Sequence, residues 1–182
     1  MATKEKIKKA AKILRSGGVI AFPTETVFGI GACLDKPQAI KRIFKIKKRP
    51  RNKPLQILIS SLRQASKMGE FDLIKLRFAK RNWPGPLTLV VKKTGVVPKL
   101  ATGGSNKVGL RMPAHRTALE LIRKCGPIVA TSANISGEEP FLNAGQVKKS
   151  LKGLDYIISG RVKLGKASNV IDATKGFKVL RS

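Results

Sequence analysis

The sequence predicts an α/β fold with a mixed sheet, because short apolar segments of strand length alternate along the chain with segments of helical periodicity. The chain has 182 residues, of which 42% are hydrophobic, and this length lies in the range of a single domain. No internal repeat or low-complexity linker divides it. We therefore expect one domain over residues 1–182.

The first 32 residues predict a helix, a strand and a loop. Apolar residues of the segment 7–14 recur at helical spacing, and the glycine pair at 17–18 is a stop signal. The apolar segment Val19–Phe22 is typical of a short strand. Two glycines in the segment Pro23–Ala32 indicate loop backbone rather than a long regular element.

A second helix begins after Asp35. This residue is expected to cap a helix that is entered at Pro37, with Ile40, Ile43 and Phe44 on its buried face and Lys47 at its exit. Beyond it, strands and helices continue to alternate, and Trp83–Pro86 must break the pattern. We expect strands over 55–59, 87–92, 108–112, 128–131, 156–158, 170–172 and 178–180, and helices over 62–68, 72–81, 114–124 and 145–151.

The charge of the chain points to anionic partners. There are 38 Lys and Arg residues against 10 Asp and Glu residues, which gives a formal net charge of +28. A positive field of this size favours polyanions such as RNA, DNA or nucleoside triphosphates. A solvated surface explains any single lysine equally well. Functional weight therefore goes to cations that cluster beside predicted loops.

Several classes of protein are disfavoured by what the chain lacks. Cys33 and Cys125 are too few and too far apart in sequence for a disulfide framework or a cysteine zinc site, which favours a reducing cytoplasm. The lysine-rich start has no continuous apolar segment of the kind found in signal peptides and membrane spans. The single histidine, His115, is expected to start a helix or lie at the surface, and no G-x-S-x-G motif supports a Ser-His-Asp relay. Glu25 is the one carboxylate in a conspicuous loop, where capping of backbone amides is at least as reasonable as catalysis.

A group of cations between residues 41 and 53 is the strongest chemical signal. Transfer at phosphorus depends mainly on positioning and on cations that neutralise phosphate oxygens, so it needs few acid–base side chains. A solvated helix face accounts for some members of the group. No Walker A or G-x-G-x-x-G motif is present, so a nucleotide site would belong to another architecture. The cations are Lys41, Arg42, Lys45, Lys47, Lys48, Arg49, Arg51 and Lys53.

A second polar segment, Thr131–Gly137, follows a predicted strand. Its hydroxyls and amides could bind a ribose, a phosphate or an amino acid. A plain turn uses the same residue types, and composition alone favours the turn.

Five segments together resemble the YrdC/TsaC family in order and spacing over almost the whole chain. The Lys-x-Arg turn, Lys47–Arg49, combined with the distant Ser-x-Asn turn, Ser132–Asn134, is highly specific, whereas each piece alone is modest evidence. The segments are Gly17–Gly29, Lys47–Pro50 with Lys53–Leu55, Trp83–Thr88, Arg111–Pro113 followed by His115, and Ser132–Gly137.

The resemblance implies a YrdC-like twisted mixed sheet flanked by helices, with a basic concave face that holds the active site. It also implies the activity of an L-threonylcarbamoyladenylate synthase, a nucleotidyltransferase that converts L-threonine, bicarbonate and ATP into threonylcarbamoyl-AMP and pyrophosphate. A separate complex would then transfer the threonylcarbamoyl group to adenosine in tRNA. Mg²⁺ would be bound mainly through the triphosphate, and no protein ligand is assigned to it.

The same resemblance assigns roles to residues that lie on loops or at strand ends. Cations would hold the phosphates and the developing negative charge, hydroxyls of the first loop would shape the threonine pocket, and the Ser-x-Asn turn would contact the nucleotide and the adduct. The catalytic residues so implied are Lys47 and Arg49, the nucleotide-binding residues are Lys47, Arg49, Lys53, Arg111, Thr131, Ser132, Asn134 and Ser168, and the threonine-binding residues are Thr24, Thr26, Arg49 and Ser132.

Some features depart from the family pattern or leave alternatives open. Ala167 and Asn169 flank Ser168 where the family has a proline and a hydroxyl residue, so the contacts there are less defined. We expect the short form of the family, without an additional C-terminal domain. One alternative is a noncatalytic protein of the same fold that binds tRNA or double-stranded RNA on its basic face. Another is a paralogue that makes a different carbamoyl-adenylate.

Overall fold

The computed structural model describes residues 3–182 and contains one nine-stranded mixed sheet, with the strand order β7-β1-β2-β6-β3-β5-β4-β8-β9. The strands are β1 (Ile20–Pro23), β2 (Phe28–Cys33), β3 (Gln56–Leu58), β4 (Leu87–Lys92), β5 (Lys107–Arg111), β6 (Ile128–Ser132), β7 (Tyr156–Ile157), β8 (Asn169–Asp172) and β9 (Lys178–Arg181). The helices are α1 (Lys4–Arg15), α2 (Pro37–Ile46), α3 (Leu62–Met68), α4 (Leu73–Asn82), α5 (Arg116–Cys125) and α6 (Ala144–Ser150).

The α/β class with a mixed sheet is confirmed, and most predicted elements are found with ends that differ by no more than two residues. The sheet contains parallel pairs, such as β3 with β5 and β4 with β8, and antiparallel pairs, such as β4 with β5. No helix of residues 3–182 is both long enough and apolar enough to cross a membrane.

The predicted loop over Pro23–Ala32 is wrong in its second half, because Phe28–Cys33 forms β2 between β1 and β6. Both glycines lie in the strand, and Gly31 is required by close packing rather than by a turn. A Cβ atom built on Gly31 would lie 2.6 Å from Ile128 Cγ2 and 3.2 Å from the ring of Phe22. The space beside the strand is already filled by these neighbours, so a larger residue would have to displace them.

The start of α2 differs from the prediction by one residue. The N-cap is Lys36 rather than Asp35, and no side chain caps the helix, while Asp35 forms an exposed ion pair with Lys36. Pro37 is the first helical residue, as expected. Proline has no N–H group and its φ angle suits a helix start, so this end depends less on a capping side chain.

The helices cover the two faces of the sheet unequally. Buried residues of α2, α3 and α4 pack on one face. On the other face, α1 and α5 pack against β1, β2, β6 and the end of β3. Successive residues of a strand point to opposite faces, so Leu89 and Leu110 enter the core under α2–α4, while Thr88 and Gly109 point the other way, into an open pocket. This pocket lies on the half of the face that α1 and α5 leave uncovered.

Helix α2 ends in a turn after which Lys47 and Arg49 point in different directions. The N–H of Arg49 donates to Phe44 O at 2.9 Å, and the N–H of Lys48 donates to Lys45 O at 3.1 Å. Lys48 has a φ angle of 50°, so this is a Schellman motif with lysine in the left-handed position. The chain reverses between Lys47 and Arg49.

Replacement of Lys48 by glycine should stabilise the protein. Glycine adopts the left-handed conformation without the steric cost of a Cβ atom, so we expect Lys48→Gly to raise the free energy of unfolding by about 1 kcal/mol in chemical denaturation. As the matched control, Lys8→Gly in the middle of α1 should lower it by about 1 kcal/mol. Equal changes in the two variants would contradict this explanation of the turn.

Candidate active site

The open half of the sheet forms the floor of a cavity of about 480 Å³, a size typical of small-molecule sites. Strands β3, β4, β5, β6, β8 and β9 contribute side chains to it, and Thr26 and Arg49 reach it from two loops. Four cations and one carboxylate line the cavity, so its field attracts anions. These charged residues are Arg49, Lys107, Arg111, Arg181 and Asp172.

Lys47 is buried beside the pocket rather than within its lining, with 1% of its surface exposed. Its Nζ donates to Ser132 O at 2.6 Å, to Asn134 O at 2.6 Å and to Asn134 Oδ1 at 2.9 Å. An ammonium group has three hydrogens, and these three acceptors use all of them. Burial and the nearby charge of Arg49 lower the pKa of Lys47 to about 7, while Glu138 opposes this change.

Asn134 is likewise used inside the protein. Its Oδ1 accepts from Lys47 and, at 2.6 Å, from Ser132 Oγ. Its Nδ2 donates to Ile135 O at 3.0 Å and to Glu138 O at 2.6 Å. Ser132 lines the pocket and its proton is directed to Asn134, so its hydroxyl oxygen can accept a hydrogen bond from a ligand. In the Ser-x-Asn turn, Ser132 therefore faces the pocket, whereas the side chain of Asn134 is bonded within the protein.

In the loop between β1 and β2, Thr24 and Thr26 also have different roles. Thr24 Oγ1 donates to Val27 O at 2.6 Å and accepts from the N–H groups of Thr26 and Val27. This network closes the loop, and Thr24 does not line the pocket. Thr26 does line it, and its Oγ1 accepts from Arg111 Nη2 at 2.9 Å.

Arg111 is held in a buried ion pair. Its Nη2 lies 2.7 Å from Glu25 Oε1, and the two side chains are 3% and 5% exposed. Glu25 therefore partners a cation rather than capping backbone amides with its side chain. The second oxygen, Oε2, is buried without a hydrogen-bond partner in residues 3–182. His115 begins α5, as expected from the sequence, with its Nε2 3.3 Å from Arg161 O.

Arg49 is anchored by carbonyl groups rather than by an acid. Its Nη2 donates to Pro54 O at 2.8 Å, and its Nε contacts Lys53 O at 3.4 Å. Its guanidinium is thereby oriented but keeps its full charge toward the pocket. The side chain of Lys53 is exposed and does not line the pocket.

The far wall of the pocket is a chain of hydrogen bonds. Arg181 donates to Ser168 O at 2.7 Å and to Ser168 Oγ at 3.3 Å. Ser168 Oγ lies 2.9 Å from Thr88 Oγ1, which donates to Gln56 Oε1 at 2.9 Å. Beside it, Lys107 and Asp172 form an ion pair of 2.7 Å.

Asp172 is charged throughout the neutral range. Burial acts to raise the pKa of its carboxyl group, but hydrogen bonds from Lys107 and Thr174 outweigh burial and lower the pKa to about 2. The carboxylate is therefore a fixed partner of Lys107 and is not a proton acceptor near neutral pH.

The structure brings six of the ten expected site residues into the pocket lining, and their chemical roles remain predictions. Sequence reasoning did not identify six further polar or charged residues of the lining. Two of these had a visible signal, because Gln56 and Thr88 are single polar residues between apolar neighbours of a strand. The expected residues in the lining are Thr26, Arg49, Arg111, Thr131, Ser132 and Ser168, those outside it are Thr24, Lys47, Lys53 and Asn134, and the additional ones are Gln56, Thr88, Ser105, Lys107, Asp172 and Arg181.

The fold and the pocket define a class of protein: an α/β protein with a cationic, hydroxyl-rich cavity on the open half of a mixed sheet. The family model Sua5_yciO_yrdC, described as "Telomere recombination", matches residues 12–182. The chain therefore belongs to the Sua5/YciO/YrdC family.

Its relatives in this family include proteins of two lengths. A threonylcarbamoyl-AMP synthase of Pyrococcus abyssi is 46% identical over 179 residues, which are 96% of this chain and 53% of that protein. A threonylcarbamoyl-AMP synthase of Psychromonas ingrahamii is 35% identical over 181 residues, or 95% of each chain. A crystal structure of P. abyssi Sua5 complexed with L-threonine superposes with a TM-score of 0.90 at 45% identity and covers 93% of this chain and 51% of that one. The chain thus spans about half the length of the P. abyssi relative.

We expect Lys47 to contribute more to the free energy of unfolding than the neighbouring cation, Arg49. Lys47→Met keeps the shape of the side chain but takes the ammonium donor from two backbone carbonyls and leaves Asn134 Oδ1 with the hydroxyl of Ser132 as its donor, so we expect a loss of about 2–3 kcal/mol in the free energy of unfolding. Arg49→Met, at a half-buried position, should cost under about 1 kcal/mol. Chemical denaturation of both variants measures the difference, and a Lys47→Met protein as stable as the wild type would refute the role given to this ammonium group.

The low pKa of Lys47 also predicts a pH dependence. The unfolded chain keeps this proton up to a pKa near 10.5, whereas the folded chain releases it at about 7. Between these values the unfolded state binds more protons, so stability rises with pH. The free energy of unfolding of the wild type relative to Lys47→Met should therefore increase from pH 7 to pH 10. Parallel pH profiles of the two proteins would show that the pKa is not lowered.

Proposed function

We propose that this protein is an L-threonylcarbamoyladenylate synthase. The observation that carries the proposal is the junction of the Lys-x-Arg and Ser-x-Asn turns at one end of a cationic pocket. The names of the relatives and the L-threonine in the P. abyssi structure support the choice of substrate. In the proposed reaction the amine of threonine is carboxylated by bicarbonate with loss of water, a carbamate oxygen attacks the α-phosphorus of ATP, and the bond from that phosphorus to the leaving pyrophosphate breaks.

The geometry supports separate roles for the residues of the two turns. Arg49 faces the pocket and would stabilise negative charge on the phosphates, with Arg111 and Arg181 as further cations. Thr26, Thr131 and Ser132 offer hydroxyl groups to threonine and to the adduct. Lys47 and Asn134, which have no free polar hydrogen for a ligand, would be positioning residues that orient Ser132.

Mg²⁺ fits this pocket as an ion carried by the substrate. Among residues 3–182 no cluster of three His, Cys, Asp or Glu side chains could hold a metal ion. The carboxylate of Asp172 is already paired with Lys107. Phosphate oxygens and water, the usual ligands of Mg²⁺ in nucleotide sites, would therefore bind it and it would neutralise triphosphate charge.

The proposal extends to the partners of the protein, its location in the cell and its domain organisation. The adenylate is a reactive mixed anhydride, so a separate transfer complex would consume it to modify adenosine in tRNA. The net charge of +28 supports contact with tRNA or double-stranded RNA. The free thiols of Cys33 and Cys125 and the absence of a spanning helix in residues 3–182 fit a cytoplasmic enzyme. The continuous sheet from residue 20 to residue 181 supports a single domain.

The proposal is tested by incubating the purified protein with ATP, bicarbonate, Mg²⁺ and L-threonine. We expect release of pyrophosphate and a threonine-dependent adenylate identified by mass spectrometry. Parallel reactions with other amino acids distinguish a paralogue, which would form its adduct with one of them instead. Tight RNA binding without any adduct would favour the noncatalytic alternative and defeat the proposal.

Arg49 should dominate the chemistry among the clustered cations. Removal of one charge-stabilising donor from a preorganised site costs about 10²–10³ in rate, so Arg49→Ala should lower kcat/KM for ATP by that factor. Arg51→Ala removes an exposed cation two residues away that does not line the pocket, and it should remain within about twofold of the wild type. The rate of pyrophosphate release measures both variants. Equal losses of rate would contradict a specific role of Arg49 and would show that the clustered cations act only through their summed charge.

A further inference from the structure

Gln56 is a polar residue in an otherwise apolar strand. It lies between the buried residues Leu55 and Ile57, and its half-buried side chain lines the pocket. In the sheet it is paired with Gly109 of β5 and Ala130 of β6. Gly109 and Ala130 line the same pocket, and because glycine has no side chain and alanine only a methyl group, they leave the Gln56 side chain accessible from it.

The Gln56 amide directs its carbonyl oxygen to the hydrogen-bond chain on the far wall. The guanidinium of Arg181 can only donate, so Ser168 Oγ accepts from it at 3.3 Å. The proton of Ser168 is then available to Thr88 Oγ1, at 2.9 Å. Thr88 has one proton, which it donates to Gln56 Oε1 at 2.9 Å. The carbonyl oxygen of Gln56 is therefore committed to Thr88.

The Nε2 group of Gln56 is left with two hydrogens. In the described part of the chain, residues 3–182, it donates to no protein acceptor. Three arginines line the same pocket, and Arg49 is anchored on the carbonyls of Lys53 and Pro54, three and two residues before Gln56 in the sequence. The positive potential of these arginines attracts an anionic group, and its oxygens are acceptors for an amide N–H.

We propose that Gln56 is a substrate-binding residue whose amide donates a hydrogen bond to a nonbridging phosphate oxygen of the bound nucleotide. This inference rests on the proposed function and adds a neutral, directional donor to the cations of the pocket. Ser168, Thr88 and Arg181 act through Gln56 by holding its carbonyl oxygen away from the ligand.

Gln56→Glu separates ligand binding from a purely structural role. The glutamate keeps an oxygen acceptor for Thr88 but loses both N–H donors. We expect it to fold like the wild type and to bind AMP at least tenfold more weakly in calorimetry, while adenosine affinity measured by NMR titration changes less than twofold. Gln38→Glu makes the same change of charge at an exposed position of α2 and should bind AMP like the wild type.

Gln56→Met distinguishes the lost donor from the added charge. It introduces no charge, and we expect it to weaken AMP binding at least threefold. Wild-type affinity for AMP in Gln56→Glu or Gln56→Met would overturn the inference and leave the proposed function intact. An equal loss of adenosine affinity would also overturn it, because the donor would then contact the nucleoside. A wild-type protein that binds neither AMP nor adenosine would instead defeat the nucleotide assignment itself.

Discussion

The ammonium group of Lys47 joins two turns that are 85 residues apart in the sequence, and the shape of the pocket end depends on this junction. Among residues 3–182 no carboxylate forms an ion pair with it. Two backbone carbonyls and one side-chain amide oxygen satisfy its three hydrogens, so the end of α2 is fixed to the end of β6 by charge–dipole contacts. An unpaired buried charge is costly, and burial accordingly lowers the pKa of Lys47 to about 7. The Schellman turn at Lys48 then directs Arg49 away from this junction and into the cavity.

The cations of the pocket differ in how far their charge is compensated. Arg111 is paired with Glu25, and Lys107 is paired with Asp172. Arg49 and Arg181 are instead held by carbonyl oxygens of Pro54 and Ser168, which orient a guanidinium without neutralising it. Attraction for an anionic ligand is therefore concentrated on these last two arginines. Because their anchors are in place before a ligand arrives, little reorganisation is needed when negative charge develops in the pocket.

Periodicity and turn residues were sufficient to predict most of the regular structure, because burial of apolar faces determines it. They misassigned Pro23–Ala32, since glycine in a strand and glycine in a loop look alike until the neighbours of Gly31 are known. The resemblance indicated which turns lie at the pocket. It did not indicate which residues of those turns are buried and which face the cavity. Lys47 reads as a loop cation in sequence, and only the approach of Ser132 and Asn134 encloses it. Arg181 joins the pocket through strand pairing between β8 and β9, which no local pattern encodes.

Three pairs of motif residues with a spacing of two divide their roles in the same way. Arg49, Ser132 and Thr26 face the cavity, whereas Lys47, Asn134 and Thr24 hold the corresponding turn from inside. The inner residue of each pair uses its hydrogen-bonding groups on the backbone, on its partner or on the inner residue of another pair, so its side chain determines where the outer residue points. Loss of activity on replacing an inner residue would therefore measure positioning, and it would not demonstrate contact with a substrate. For the Lys47–Arg49 pair a stability measurement separates the two cases, because removal of Lys47 leaves buried acceptors without a donor, whereas the hydrogen bonds of the half-buried Arg49 are exposed.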